Sequence, residues 1–469
     1  MTVTTGPSPP GSPRILEDWR PEDPVFWEQV GRRIANRNLA ISIPALLLAF
    51  AIWMAFSAVI VSLPKIGFGF TTDELFWLAA LPGLSGATLR IFYSFMVPIF
   101  GGRRWTAIST ALLLAPALWL GLAVQNPGTP FWQFAVIAFL CGLGGGNFAS
   151  SMSNISFFFP KSRQGYALGM NAGLGNLGVS ATQFVIPLVI TAGVFGAIGG
   201  GPQQMVGGGT LYLQNAGFIW IPLLVACAFA AWFGMHDIGS ARSSFAEQSV
   251  IFRRKHNWLM CWLYTGTFGS FIGYSAGFPM LIKTQFPEVN ALGFAFLGPL
   301  VGALARPLGG WLADKAGGAM LTFWVFVLMV GAVFGVLHFL PGDASGGSFI
   351  GFLAMFMLLF VLTGIGNAST FRMIPVIFRT MRERELAPDA GVAERAASAR
   401  QAGIESAAVI GFSSAVAAYG GFFIPKSYGS SIALTGGPQL ALYGFVAFYI
   451  TCIAITWWWY FRRGAEAPS

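Results

Sequence analysis

Two arginines, Arg90 and Arg306, stand inside otherwise uncharged apolar stretches and are the residues of this chain best suited to chemistry. Their surroundings match. The first lies in LSGATLRIFYSFMVPIFGGRRWT at 84–106 and the second in LVGALARPLGGWLADKAGGAMLT at 300–322. Each follows a Gly-Ala pair by three to four residues, Gly86-Ala87 and Gly302-Ala303, and precedes a Gly-Gly pair by eleven to twelve, Gly101-Gly102 and Gly317-Gly318. The spacing is that of an internal repeat, which predicts both arginines at the same depth and facing each other across a central cavity.

A guanidinium is planar, permanently charged and forked, so it donates two parallel bonds to a trigonal or bent oxyanion. Inside a bilayer one arginine costs at least about 2.5–3.5 kcal/mol, even on the lenient insertion scale. It needs a counter-charge. Snorkelling to the interface does not suit Arg90, which lies near the middle of its span. The 18 carboxylates fall in termini, loops or span ends, with Glu74, Asp314 and Glu405 nearest to spans. The missing counter-charge is then read as the substrate, a compact monovalent anion rather than a zwitterion or a lipid.

Fewer residues qualify elsewhere. Asn171 and Asn176 carry amide donors that suit an anion, on a segment with Gly165, Gly169, Gly173, Gly175 and Gly178. That glycine stripe predicts close approach of a neighbouring helix. Tyr264 and Phe268 sit one helical turn apart. GLGGGNF at 142–148 and GIGNAST at 364–370 read as repeat equivalents and not as nucleotide loops, since no strand precedes them. Arg372 lies near a span end and reads as an anchor or gate. Cys141, Cys227, Cys261 and Cys452 lie in apolar runs without metal-ligand spacing and read as packing residues. No metal, no cofactor and no enzymatic nucleophile–base pair is expected.

The elements that must position these groups follow from composition. The 469 residues are 55% hydrophobic and 10% charged, against about 25% charged in soluble proteins. Such a chain has the bilayer as solvent. Uncharged stretches of about 20 residues divide it into twelve spans, the last six near 257–282, 291–313, 319–340, 348–378, 402–424 and 438–461. The turns QNPGTP at 125–130 and GAIGGGPQQMVGGGT at 196–210 split two long stretches of the first half. The expected fold is an all-α membrane protein of 12 transmembrane helices in two pseudo-symmetric six-helix bundles. The N-terminal segment covers 1–38, the bundles 39–236 and 257–461, the linker 237–256 and the tail 462–469. The N-terminal segment has no apolar h-region, so the first span is read as the insertion signal.

Of the 27 Lys and Arg, only Arg90, Arg306 and Arg372 sit within spans, and Lys65, Lys283 and Lys426 are assigned to outer loops. The other 21 share the side of both termini, which the positive-inside rule makes cytoplasmic. The net charge of +9 is then explained by orientation and membrane lipid, with no nucleic acid.

Longer stretches carry a family likeness. GLGGGNFASSMSNISFFFPKSRQGYALGMNAGLGNLGV at 142–179 and GIGNASTFRMIPVIF at 364–378 resemble the two nitrate motifs of the nitrate/nitrite porter family. RPLGGWLADKAGG at 306–318 is similar to the loop motif of the major facilitator superfamily. Lys315 stands there where many members have Arg, and Pro98 replaces Asp314 in the first half. DWRPEDPVFW at 18–27 and GGFFIPKSYGSSIALTG at 420–436 also resemble the family. The resemblance implies a major facilitator fold, a monomer, and exchange of nitrate for nitrite across the bacterial inner membrane. It implies that Arg90 and Arg306 bind the anion, that Phe148 and Phe268 sandwich it, and that Tyr264 and Asn176 hydrogen-bond it.

Two other transport modes compete. Proton-coupled nitrate or nitrite symport wants a titratable relay, and the candidates here, Glu405 and Asp314, are peripheral. An anion channel would not need the repeat.

Overall fold

The computed structural model describes residues 15–239, 250–342, 347–387 and 389–469. Residues 1–14 of the N-terminal segment and 240–249 of the linker lie outside them. Twelve helical segments follow one another: α1 (Pro24–Ser62), α2 (Thr72–Tyr93), α3 (Gly102–Ala123), α4 (Phe131–Phe158), α5 (Lys161–Val189), α6 (Asn215–Gly234), α7 (255–285), α8 (Ala291–Ala316), α9 (Gly318–Phe339), α10 (Phe349–Glu385), α11 (Val392–Thr435) and α12 (Gln439–Phe461). Among the described residues eleven are long and apolar enough to cross a bilayer. The remaining one, α7, is diluted by Gly, Ser, Thr and Tyr.

Local chemistry starts the helices where they start. Asp23 caps α1 by accepting from the backbone of Val25 and Phe26, with Pro24 at the first helical position. Thr71 and Glu74 form a capping box at the head of α2. Helices also run past the expected span limits, α1 beginning at Pro24, α10 reaching Glu385 and α11 covering Val392–Thr435. Ala, Arg and Glu at these ends are good helix formers, so helix propagation does not stop at the edge of the apolar run. Lys283 and Lys426 accordingly sit in helices and not in outer loops. Lys426 is half-buried against α2, paired with Asp73 and lying 4.6 Å over the Trp77 ring.

The internal repeat is visible in the backbone. Gly101 has φ 84° and ψ 150°, and its repeat partner Gly317 has φ 89° and ψ 141°. This left-handed region suits glycine, and each residue stands immediately before the first residue of α3 or α9. The packing repeats too. A Cβ on Gly142 of α4 would lie 2.6 Å from the Gly86 nitrogen of α2, and one on Gly364 of α10 would lie 2.1 Å from the Gly302 oxygen of α8. Both arginine-bearing helices thus meet their partners one turn before the arginine.

The two bundles meet along α2 with α11 and α7, α1 with α7, and α5 with α8. A Cβ on Gly83 would sit 2.2 Å from the Gly421 carbonyl carbon. Gln183 of α5 donates to Ser57 of α1 at 2.9 Å and to the Ser275 carbonyl of α7 at 2.7 Å. Thr88 and Tyr419 share a hydroxyl bond of 2.9 Å, and Phe184 packs on Phe296 at 5.1 Å. The Gln183, Ser57, Ser275, Phe184 and Phe296 contacts lie in the halves of the helices away from the termini, and the Gly83 and Thr88 contacts carry the seam on toward Arg90.

On the termini side the bundles are parted. Gly165, Gly169 and Gly173 of α5, Gly310 of α8 and Gly403 and Gly411 of α11 have open space where a Cβ would stand. The expectation that the whole glycine stripe of α5 packs closely is therefore corrected. Only its deeper part does so, Gly178 against the Leu47 carbonyl at 2.0 Å and Gly175 against Leu46 at 2.7 Å.

Candidate functional site

Arg90 is buried at 1% exposure, below the inter-bundle seam. Its Nε donates to the Gly145 carbonyl of α4 at 3.0 Å. Its Nη1 crosses to the second bundle and donates to the Ser414 carbonyl of α11 at 3.1 Å. Its Nη2 is buried without a hydrogen-bond partner. Among the described residues no carboxylate pairs with Arg90 or Arg306. Two neutral carbonyls orient the Arg90 charge without cancelling it.

Three rings enclose this guanidinium. Its Cζ lies 4.7 Å from the centroid of Phe148, 5.4 Å from Phe268 and 5.3 Å from Trp53. Aromatic faces attract a cation by their quadrupole, worth about 0.5–2 kcal/mol each according to desolvation. The Phe148 and Phe268 rings are 29° from parallel with centroids 6.4 Å apart. That separation approaches twice the contact distance of about 3.5 Å between carbon atoms, the room that a flat group takes between two faces.

The π-helical turn Thr265–Gly269 lies between Tyr264 and Ser270 in α7. Such turns aim side chains off the regular helical register and recur at functional sites. Here Tyr264 stacks on Phe268 at 5.4 Å and 12°, and touches Phe371 of α10 at 5.8 Å. Phe371 in turn carries Arg306, whose Cζ is 5.7 Å from the ring. Arg306 is half-buried, its Nη1 lacks a partner, and its guanidinium lies beside the Tyr264 hydroxyl. Tyr264 lies within the electrostatic field of both arginines. Phe268, Tyr264 and Phe371 connect them.

Asn176 is buried, and its Oδ1 has no partner. It lies seven residues before Gln183 on α5, and Phe268 lies seven before Ser275 on α7. Seven residues are close to two helical turns, so each shares a face with a member of the Gln183–Ser275 bond, on the termini side of it. Asn171 is occupied otherwise, donating to Ser151 at 2.8 Å. Arg372 bonds Asp314 at 2.5 Å at the α8–α9 end and is not among these groups.

Sequence reading missed four participants. Trp53 stands between Phe50 and Phe56 in an apolar span where no one aromatic is singled out, and its indole nitrogen donates to the Pro82 carbonyl at 2.7 Å. Phe371 was overshadowed by the charge of Arg372 next to it. The Gly145 and Ser414 carbonyls belong to the backbone, which residue type does not betray. Glu405, a relay candidate, is buried at 1% exposure and shared by Arg382 and Arg254, the latter at 3.5 Å. These partners hold it at the termini end of α11.

Comparison with known proteins places this arrangement among others. The Major Facilitator Superfamily profile matches residues 45–387. The chain is 56% identical over 451 residues to the nitrate/nitrite transporter NarU of Escherichia coli (strain K12), covering 96% of each chain. It is 42% identical to the probable nitrate/nitrite antiporter NarK2 of Thermus thermophilus, covering 97% of this chain and 98% of the other. A solved D-xylose-proton symporter superposes with a TM-score of 0.66 at 13% identity, over 90% of this chain and 97% of that one. This last likeness is one of fold alone.

Proposed function

We propose that this chain, which belongs to the nitrate/nitrite porters of the Major Facilitator Superfamily, exchanges nitrate for nitrite across the bacterial inner membrane by alternating access. Its two bundles, 39–236 and 257–461, rock about an anion held by Arg90 and Arg306. Phe148 and Phe268 sandwich the flat anion, and Tyr264 and Asn176 bond its oxygens. The single observation that carries this reading is the buried Arg90 Nη2, unpartnered on a guanidinium that sits beside the gap between two near-parallel rings. A planar oxyanion supplies what that site lacks: an acceptor, a negative charge and two flat faces.

The coupling follows from charge. Two guanidiniums in an empty cavity of low dielectric repel each other and oppose closure. One anion removes the penalty, so the loaded carrier crosses and the empty one does not. The bias of basic residues makes the termini side cytoplasmic, and the state described above is then inward-open. The carrier acts as a monomer. Proton symport fares worse, because Glu405 is held by Arg254 and Arg382 away from the cavity.

Counterflow in proteoliposomes tests the proposal. Internal nitrite should drive nitrate uptake strongly, while a pH gradient alone should drive little. Accumulation driven by the proton gradient with no internal anion would establish symport instead.

A further inference from the structure

The first bundle carries a second concave feature, remote from the anion site. A cavity of about 360 Å³ opens at the termini end of α1 and α5, lined by Trp27, Arg32, Asn36, Ala40, Ile43 and Arg163 among others. Asn36, Ala40 and Ile43 follow i, i+4, i+7 spacing and share one face of α1. Ser42, two residues from Ala40 and so on nearly the opposite face, bonds Ser151 of α4 inside the bundle at 2.8 Å. Ile41 packs beside Met235 at the end of α6. The cavity therefore lies on the outer flank between α5 and α6, where the bundle faces the bilayer.

Its chemistry is divided by depth. At the membrane edge, Arg32 and Arg163 share one carboxylate, Glu28, at 3.6 and 3.7 Å. Two cations on one anion leave a net positive charge, and both arginines remain about half exposed. Trp27 forms a buried floor under Arg163, 5.9 Å from its Cζ, and Tyr166 stands exposed at the rim. Trp and Tyr are enriched at this level of a membrane. Two to three turns deeper along α1 the wall is apolar, formed by Leu39, Ala40 and Ile43.

We propose that this cavity binds an anionic phospholipid of the leaflet on the termini side. The phosphate sits between Arg32 and Arg163, and the acyl chain follows Ala40 and Ile43 along α1. A guanidinium pair suits a phosphate by bidentate bonding, and the apolar wall that continues into the bilayer suits the chain attached to it. Free phosphate shares the first feature and not the second. Neither arginine belongs to the anion site, so transport and lipid retention are separable.

Native mass spectrometry of the full chain in detergent, with phosphatidylglycerol or phosphatidylethanolamine added, tests the site. The wild type should retain phosphatidylglycerol preferentially. Near a membrane surface each cation contributes about 1 kcal/mol to anionic-lipid attraction. Removing one should weaken retention about 5-fold, and R32Q/R163Q roughly 30-fold. Glu28→Gln frees both cations and should tighten retention, a change that misfolding does not mimic. Ala40→Trp fills the wall and should release the lipid with the charges intact. Equal retention by wild type and R32Q/R163Q overturns the proposal, as does an E28Q variant that binds no better. Release of phosphatidylglycerol by millimolar inorganic phosphate would make free phosphate the ligand and overturn the lipid.

Discussion

Replacing Arg90 by lysine separates the charge of the site from its geometry. Arg90 uses three nitrogens for three tasks: Nε holds the Gly145 carbonyl, Nη1 holds the Ser414 carbonyl, and Nη2 stays free. A lysine keeps the positive charge but gathers its donors on one ammonium at the end of a flexible stem. It cannot span two carbonyls on different helices and still present a donor to an anion between the rings. The anion loses one charge-assisted bond, worth about 1.5–3 kcal/mol. Half-saturation for nitrate in counterflow should therefore rise by roughly 10- to 150-fold. The Gly145 carbonyl is also left buried without its donor, which costs about 1–3 kcal/mol of stability, so the melting temperature should fall as well. A variant with wild-type half-saturation and wild-type exchange rate would refute the forked-site reasoning. A variant that unfolds is recognised from the melting curve, and binding measured below its midpoint still decides the question.

Phe148→Ala removes one face of the sandwich and the dispersion contacts an anion would make with it, so half-saturation for nitrate should rise several-fold; an unchanged value would remove the ring from the site. Gly83→Ala places a Cβ 2.2 Å from the Gly421 backbone, so the outer seam must part; spin-label distances across the outer ends of α2 and α11 should lengthen and exchange should collapse, and unaltered distances at full activity would contradict the packing. Burial of Glu385 is slight, and the Arg254 hydrogen bond, aided by Arg382, holds its carboxyl below the usual range. A depressed carboxylate stabilises the fold above its unfolded value and loses that contribution as pH falls through the folded value. E385Q should thus lower the melting temperature slightly at neutral pH, by less than about 1 kcal/mol for so exposed a pair. The difference should begin to shrink as pH falls below the ordinary carboxylate range, about pH 4, and disappear below the depressed folded value; a difference that grows on acidification would reverse the assignment.

Charge and hydropathy determined much of this protein before any coordinates. Spans can be read because a bilayer excludes charge, so each uncharged stretch of sufficient length is a helix. Arg90 and Arg306 stood out for the same reason, since a charge inside such a stretch demands an explanation. The Gly-Gly pairs that aligned the halves reappear as Gly101 and Gly317 in the same left-handed backbone geometry, because a sharp entry into the next helix admits only that conformation cheaply.

Other features were decided by the fold alone. The backbone acceptors of Arg90, the Trp53 wall and the Phe268–Tyr264–Phe371 connection arise from helices distant in the chain, and no local pattern encodes which carbonyl a guanidinium reaches. Only the tertiary structure shows that Gly169 faces open space while Gly178 touches a backbone. The same residue type on the same helix serves a parted surface and a sealed one. Sequence specifies the small residues that permit a close approach, and the relative position of the two bundles determines where that approach is made.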